Sequence, residues 1–273
     1  MLLHRLLTAL VLVPLVVSAI FLLESDYIGL LLGLVVVLGA NELANMANIS
    51  SVVGRFSYML GIAGILGYLL YQDVSQPSIS LLLPAVIWWI VISVWLVTRR
   101  TEISLVSGSR PGLLLFGGLV LVFTWLSLYS LHQRGVQGPA LMMFLLILIW
   151  VADSGAYFAG RKWGKNKLSP IVSPGKSWEG VIGALIGGVV CAVALSQLGI
   201  TAIELPSLVI LCLLTVFVSV GGDLWESLLK RQVGIKDSGR LLPGHGGMLD
   251  RIDSLLAASP VFLFGMILLE PGL

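Results

Sequence analysis

The sequence predicts an all-α polytopic membrane protein of about nine transmembrane helices, with a cytoplasmic N-terminus and the C-terminus outside. Three observations carry this. Of 273 residues, 58% are hydrophobic and only 11% are charged, whereas a soluble domain carries about 25% charged residues. Mean hydropathy is +1.03, and the apolar residues lie in unbroken runs long enough for helices to cross about 30 Å of hydrocarbon. The basic residues are also sharply segregated between alternate loops. This composition excludes an ordinary water-soluble enzyme, and it excludes disorder, which needs low hydrophobicity and high net charge. The unbroken runs argue against a transmembrane β-barrel, whose strands alternate apolar and polar residues. The net charge of +2 carries no information about partners.

The nine spans fall at about 6–23, 27–44, 56–71, 81–97, 112–131, 139–158, 180–198, 206–220 and 254–269. The first is read as a retained helix rather than a signal peptide. Its apolar run is long, no Ala-x-Ala-like site follows, and eight more spans come after it. The third and eighth are short, and the eighth can continue as helix into the polar segment after Gly222. Gly61 with Gly64, and Gly183 with Gly187, are expected to let helices approach closely. Cys191 and Cys212 lie inside apolar runs without metal or redox spacing, and are read as packing residues.

Alternating the loops places fifteen of the sixteen basic residues on one side and only Arg134 on the other. By the positive-inside rule the crowded side is cytoplasmic. The chain then divides into an N-terminal region, 1–135, with about five spans, and a catalytic C-terminal region, 136–273, with cytoplasmic loops 159–180 and 221–253. Those two loops hold ten of the sixteen basic residues and most of the acids on that side. Long polar loops in an otherwise minimal membrane protein are where function is expected.

In the second loop, a continued eighth helix would carry Asp223, Glu226 or Ser227, and Lys230 on one face. Glycine and proline breaks around His245 free backbone N–H groups, and Asp250 and Asp253 follow at helical spacing. Carboxylates suit Mg²⁺, while guanidinium, ammonium and backbone donors suit phosphate oxygens. A positive-inside signal accounts for the lysines and arginines. It does not account for Asp223, Asp250 and Asp253 at the edges of apolar spans, where ionisable groups are costly. In the first loop, Gly175-Lys176-Ser177 imitates the end of a phosphate-binding P-loop, but the required first glycine would fall at Pro170. What remains is a Ser-Pro-Gly-Lys-Ser turn entering a helix. It can serve as a phosphate cradle at a helix N-terminus or as a plain helix start capped by Ser177 or Ser173. Asp153, inside an apolar span, favours function. His4 and His132 are read as bland, whereas His245 between glycines can contact phosphate or nucleotide.

The stretch from Ser227 to Asp253 resembles the signature of the phosphatidate cytidylyltransferases, or CDP-diacylglycerol synthases. Ser227 is followed by Lys230-Arg231, Lys236-Asp237, the small Gly239, Leu242-Pro243, His245-Gly246-Gly247 and Asp250-Arg251-Ile252-Asp253. The segments Asp153–Tyr157 and Ser173–Gly180 also resemble bacterial members; the first five spans resemble the family only in hydropathy and position. The resemblance implies Mg²⁺-dependent nucleotidyl transfer at the cell inner membrane, with CTP and phosphatidic acid giving CDP-diacylglycerol and pyrophosphate on the cytoplasmic face. Carried over by position, Asp223 and Asp250 are the expected metal ligands, with Asp253 and Asp153 as alternative or outer ligands. Lys176, Lys230, Arg231, Lys236 and Arg251 are the expected phosphate contacts, Ser177 lies beside the substrate, and His245, Gly246 and Gly247 shape the nucleotide loop. The lipid is expected to enter sideways between helices. The reading leaves room for a second cation and a homodimer, and expects no nucleic-acid partner. Two competitors remain. A CTP-dependent lipid kinase would move the γ-phosphate and need a base. A transporter would place its acids near the bilayer midplane within inverted repeats.

Overall fold

The computed structural model describes residues 2–72, 74, 77–98, 110–239, 241 and 246–270, with the side chains of 2–9 and 110 left aside. Among the described residues there are nine α-helices: α1 (Leu2–Leu22), α2 (Ser25–Met46), α3 (Val52–Tyr71), α4 (Ile79–Thr98), α5 (Arg110–His132), α6 (Gly138–Trp163), α7 (Trp178–Leu198), α8 (Leu205–Gln232) and α9 (Leu249–Leu269). Helices α2 to α9 are long and apolar enough to cross a membrane, and the described apolar part of α1 is Leu10–Leu22. The chain is therefore a multi-pass membrane protein. Helix α8 does continue past Gly222, reaching 28 residues. At 1.5 Å per residue that is about 42 Å, longer than the hydrocarbon is thick, so its polar end emerges from the bilayer.

One element departs from the all-helical expectation. Residues 159–163 belong to α6, and the rest of the first loop folds as an antiparallel hairpin, β1 (Lys167–Ser169) with β2 (Ser173–Ser177). Ser169 pairs with Ser173, and Lys167 with Ser177. Ser169 precedes Pro170 and Ser173 precedes Pro174. A residue before proline is pushed out of the helical region into extended conformation, so the two prolines select a hairpin where only a turn was expected.

The chain folds as two compact units: Met1–Gln76, Leu105–Met143 and Leu229–Ile252 in the first, and Pro77–Ser104, Phe144–Leu228 and Asp253–Leu273 in the second. In the first, α2 packs against α3 and α5. Trp125 stacks on Tyr129 with ring centroids 4.9 Å apart, and its indole N–H donates to the Gly29 carbonyl at 2.7 Å. His132 is buried, with ring nitrogens 2.9 Å from the Ser25 hydroxyl and 2.9 Å from the Ile20 carbonyl. Its role is structural, in line with its bland reading.

In the second unit, Trp89 of α4 meets Trp225 of α8 edge to face, with centroids 5.8 Å apart. Cys191 and Cys212 are buried and free, as packing residues should be. Helices α6 and α7 touch backbone to backbone. A Cβ on Gly155 would stand 2.5 Å from the Gly183 carbonyl oxygen, and one on Gly183 would stand 2.5 Å from that of Gly155. Gly187 likewise lies against Val151. The expectation for Gly61 and Gly64 fails, because neither meets a described atom within 4 Å; both are on an exposed face of α3.

These glycines make opposite predictions. Gly183→Val should lower the thermal midpoint of the detergent-solubilised protein through overpacking of about 1–3 kcal/mol. Gly61→Ala should leave it unchanged or slightly raised, since glycine is a poor helix former. Equal midpoints for both variants would contradict the packing described.

Candidate active site

Hairpin and helices of the second unit enclose a cavity of about 320 Å³. Asp153, Tyr157, Lys176, Ser177, Asp223 and Ser254 are among its lining residues. Local structure explains how each arrives. Asp153 sits on α6, where the helix passes α7 closely because Gly155 and Gly183 have no side chains. Ser177 caps α7, its hydroxyl accepting from the Gly180 N–H at 3.2 Å. The same hydroxyl lies against Gly160 and Gly164, so the hairpin exit is pinned. That is the helix-start role set beside the phosphate cradle in the sequence. Asn166 is held by Glu179, which accepts from its backbone N–H at 3.1 Å and its side-chain amide at 2.8 Å.

Lys176 reaches into the cavity and pairs with Asp223, Nζ to Oδ2 2.6 Å, and it also lies 3.4 Å from the Val220 carbonyl. Asp223 accepts from the Ser227 hydroxyl at 3.2 Å, one helical turn on. Gly222 lets α8 press against α9: a Cβ there would stand 2.5 Å from the Asp253 carbonyl oxygen. Asp153, Asp223 and Asp253 are consequently near enough to repel one another, with Lys176 attracting them. The Asp253 carboxylate accepts from the Ser254 N–H at 2.7 Å. Among the described residues, these three carboxyl groups gather around the Lys176 ammonium. Among the described residues no group of three or more His, Cys, Asp or Glu side chains is arranged to hold a metal by itself. The set fits a cation such as Mg²⁺, which takes one or two carboxylates and fills its shell with water and phosphate oxygens. Lys176 stands where such a positive charge is needed.

A second polar cluster lies within the first unit. Lys230 donates to Asp250 Oδ1 at 2.6 Å, and the pair is nearly sealed, with side-chain exposures of 11% and 7%. Asp250 Oδ2 accepts from the Ser238 N–H at 2.9 Å and the Gly247 N–H at 2.8 Å, and the Ser238 hydroxyl oxygen lies 3.0 Å away. Gly246 has φ of +83°, and a Cβ there would stand 2.6 Å from Asp250 Oδ2, so glycine is required twice over.

Exposure separates the two ion pairs. The Lys176–Asp223 side chains remain 23% and 31% exposed, and solvated pairs of this kind contribute about 1 kcal/mol or less. That pair can open for a ligand. Removing one partner of a sealed pair such as Lys230–Asp250 strands a buried charge, at about 3–5 kcal/mol.

Asp153, Lys176, Ser177, Asp223 and Asp253 are thus brought together in the second unit, and Lys230, Gly246, Gly247 and Asp250 in the first. Arg231, Lys236 and Arg251 are exposed, with Arg231 donating to the Ile235 carbonyl at 3.3 Å. His245 lies outside the described residues. Two participants were not singled out from sequence: Glu42 and Ser238, which meet at 2.7 Å beside Asp250. The signal for Glu42 was available, since it is an acid inside an apolar run like Asp153.

Loss of the α7 cap gives a check on this local architecture. Ser177→Ala should destabilise the protein by about 1 kcal/mol, read as a lower thermal midpoint in detergent; an unchanged midpoint would show that the cap contributes nothing.

A family model described as the cytidylyltransferase family matches residues 3–269. A phosphatidate cytidylyltransferase of Pseudomonas aeruginosa is 44% identical over 263 residues, spanning 96% of this chain and 96% of the relative. One from Haemophilus influenzae is 39% identical over 283 residues, spanning 97% and 98%. One from Thermotoga maritima is 33% identical over 269 residues, spanning 94% and 93%. With the match running nearly from end to end, through the acids and lysines of both clusters, the chain belongs to the cytidylyltransferase family.

Proposed function

We propose that this protein is an integral-membrane enzyme that joins CTP and phosphatidic acid into CDP-diacylglycerol and pyrophosphate, working at the cytoplasmic face of the cell inner membrane. The observation that carries the reading is the cavity in which Lys176 and Asp223 form a ligand-accessible pair between acids on three membrane helices. The family membership supplies the reaction class. The 15-to-1 division of basic residues between loops supports the side.

In this reaction a phosphate oxygen of the lipid attacks the α-phosphorus of CTP. A new P–O–P bond forms, the bond between the α-phosphorus and the bridging oxygen breaks, and pyrophosphate leaves with the electron pair. The attacking oxygen is already anionic, so no strong base is needed. What the protein must do is bring polyanions together and neutralise charge as it moves to the leaving group. Lys176 suits that role, because its ammonium can exchange Asp223 for an entering phosphate oxygen without losing ionic company. Lys230, Arg231, Lys236 and Arg251 are further phosphate contacts in this reading. Asp223 and Asp253 would hold Mg²⁺ within the second unit, and the ion would supply charge neutralisation at the transferring phosphoryl group. Asp250 keeps its candidacy as a ligand from the resemblance. A volume of about 320 Å³ is at the small end of ligand pockets. It suits polar headgroups, with the acyl tails left in the bilayer.

Purified protein given CTP and phosphatidic acid should release pyrophosphate and form a CMP-bearing lipid, and chelating Mg²⁺ should stop it. Release of CDP would instead mean a kinase. Asp223→Asn and Lys176→Met should each lower kcat by about 100-fold or more while the thermal midpoint stays near that of the wild type. Near-normal turnover in both variants would move the chemistry elsewhere.

A further inference from the structure

Glu42 lies on α2 and is only 5% exposed. Its carboxylate accepts three hydrogen bonds, all from the segment that carries the family signature. The Ser238 hydroxyl donates to Oε2 at 2.7 Å, the Met248 N–H to Oε1 at 2.8 Å, and the Leu249 N–H to Oε2 at 2.9 Å. All three partners donate, which suits a group whose ionised form only accepts. Met248 and Leu249 stand at the start of α9, where the first N–H groups of a helix have no carbonyl partner of their own. Such groups are ordinarily satisfied by a cap residue just before the helix. Here the acceptor lies 206 and 207 residues earlier in the chain.

Two glycines make the room. A Cβ on Gly239 would stand 2.5 Å from Glu42 Oε1, and one on Gly247 would stand 2.5 and 2.6 Å from the two carboxylate oxygens. Ser238 then passes the link onward. It lies 3.0 Å from Asp250 Oδ2 through its hydroxyl, accepts from the Asp250 N–H at 3.3 Å, and donates its own N–H to Asp250 Oδ2 at 2.9 Å. Asp250 in turn holds Lys230.

We propose that Glu42 is a positioning residue: it clasps the start of α9 and the strand of loop at Ser238, and through Ser238 it fixes the orientation of Asp250 and Lys230. The kinetic part of this inference rests on the nucleotidyl-transfer reading, in which Lys230 and Asp250 act on the nucleotide. The clasp itself does not.

Two variants of the full-length protein in detergent test it. Glu42→Gln keeps the shape but turns an amide N–H₂ toward at least one backbone donor. Ser238→Ala leaves Glu42 in place and cuts its link to Asp250. Glu42→Gln should speed deuterium exchange at the Met248 and Leu249 amides by about tenfold or more, since a hydrogen bond to a charged group is lost there. Exchange in α3 should stay unchanged. Both variants should raise the KM for CTP by about fivefold or more, a change that a smaller folded fraction cannot produce because it lowers only apparent kcat. Unchanged exchange in Glu42→Gln would overturn the clasp. Faster exchange with a wild-type KM would make Glu42 a purely structural support and overturn the positioning role. If Glu42→Gln does not fold, Glu42→Asp, which keeps the charge but shortens the reach, takes its place with the same two readouts, and unchanged exchange or a wild-type KM overturns the proposal. If the wild-type chain forms no CMP-bearing lipid, the functional reading falls, and the exchange measurement still decides the clasp.

Discussion

A carboxylate drawn into a hydrocarbon-lined span loses water that nothing apolar replaces, so it persists only where donors or cations surround it. That constraint organises the polar parts of this protein. Glu42 is met by a hydroxyl and two helix-terminal N–H groups. Asp250 is met by an ammonium and two backbone N–H groups. Asp223 is met by Lys176 and Ser227. Each acid has drawn a loop or a helix end toward itself. In the described part of the segment between α8 and α9, Ser238 and Gly247 are held through Glu42 and Asp250.

The acids differ in how completely they are enclosed, and that difference limits what each can meet. Asp250, nearly sealed with Lys230 and two backbone N–H groups, also holds the shape of the chain around it. Where carboxylates repel one another, as Asp153, Asp223 and Asp253 do around Lys176, that repulsion becomes a binding property. A polyanionic substrate cannot enter such a place alone; it must bring a cation or displace the carboxylate from the lysine. That requirement is the electrostatic side of nucleotide chemistry, in which charge neutralisation is most of the catalysis.

Much of this was legible in the sequence. All nine spans appear as helices because an apolar run of about 20 residues has no other way to satisfy its backbone in a bilayer. The persistence of α8, the capping role of Ser177, the packing of Gly183 and the inert cysteines could likewise be read from local pattern. Partnerships over long sequence separations could not. Nothing near Glu42 says that its donors lie some two hundred residues on, and nothing near Lys230 says that its ammonium is sealed against Asp250. The hairpin is hidden for a different reason: its strands are three and five residues long, too short for an alternation pattern, and the prolines beside Ser169 and Ser173 signal only breaks. Gly61 and Gly64 mislead because spacing marks a smooth helix face without saying what, if anything, rests on it.

The hairpin gives the lysine a property that a free loop would not. Strand β2 is anchored at one end by pairing of Ser173 with Ser169 and at the other by Ser177, which is both paired to Lys167 and committed to the start of α7. Between these anchors the pairing is irregular, with one residue of β1 opposite three of β2, and the neighbouring Lys176 and Ser177 both face the cavity. Inserting or deleting a single residue between the anchors would shift the ammonium relative to Asp223, whereas Gly175, exposed and with nothing within 4 Å of a Cβ placed on it, has room for a side chain. Over evolutionary time this stretch should therefore tolerate drift in spelling far better than drift in length. Its count of residues is as much a part of the cavity's geometry as the lysine it carries.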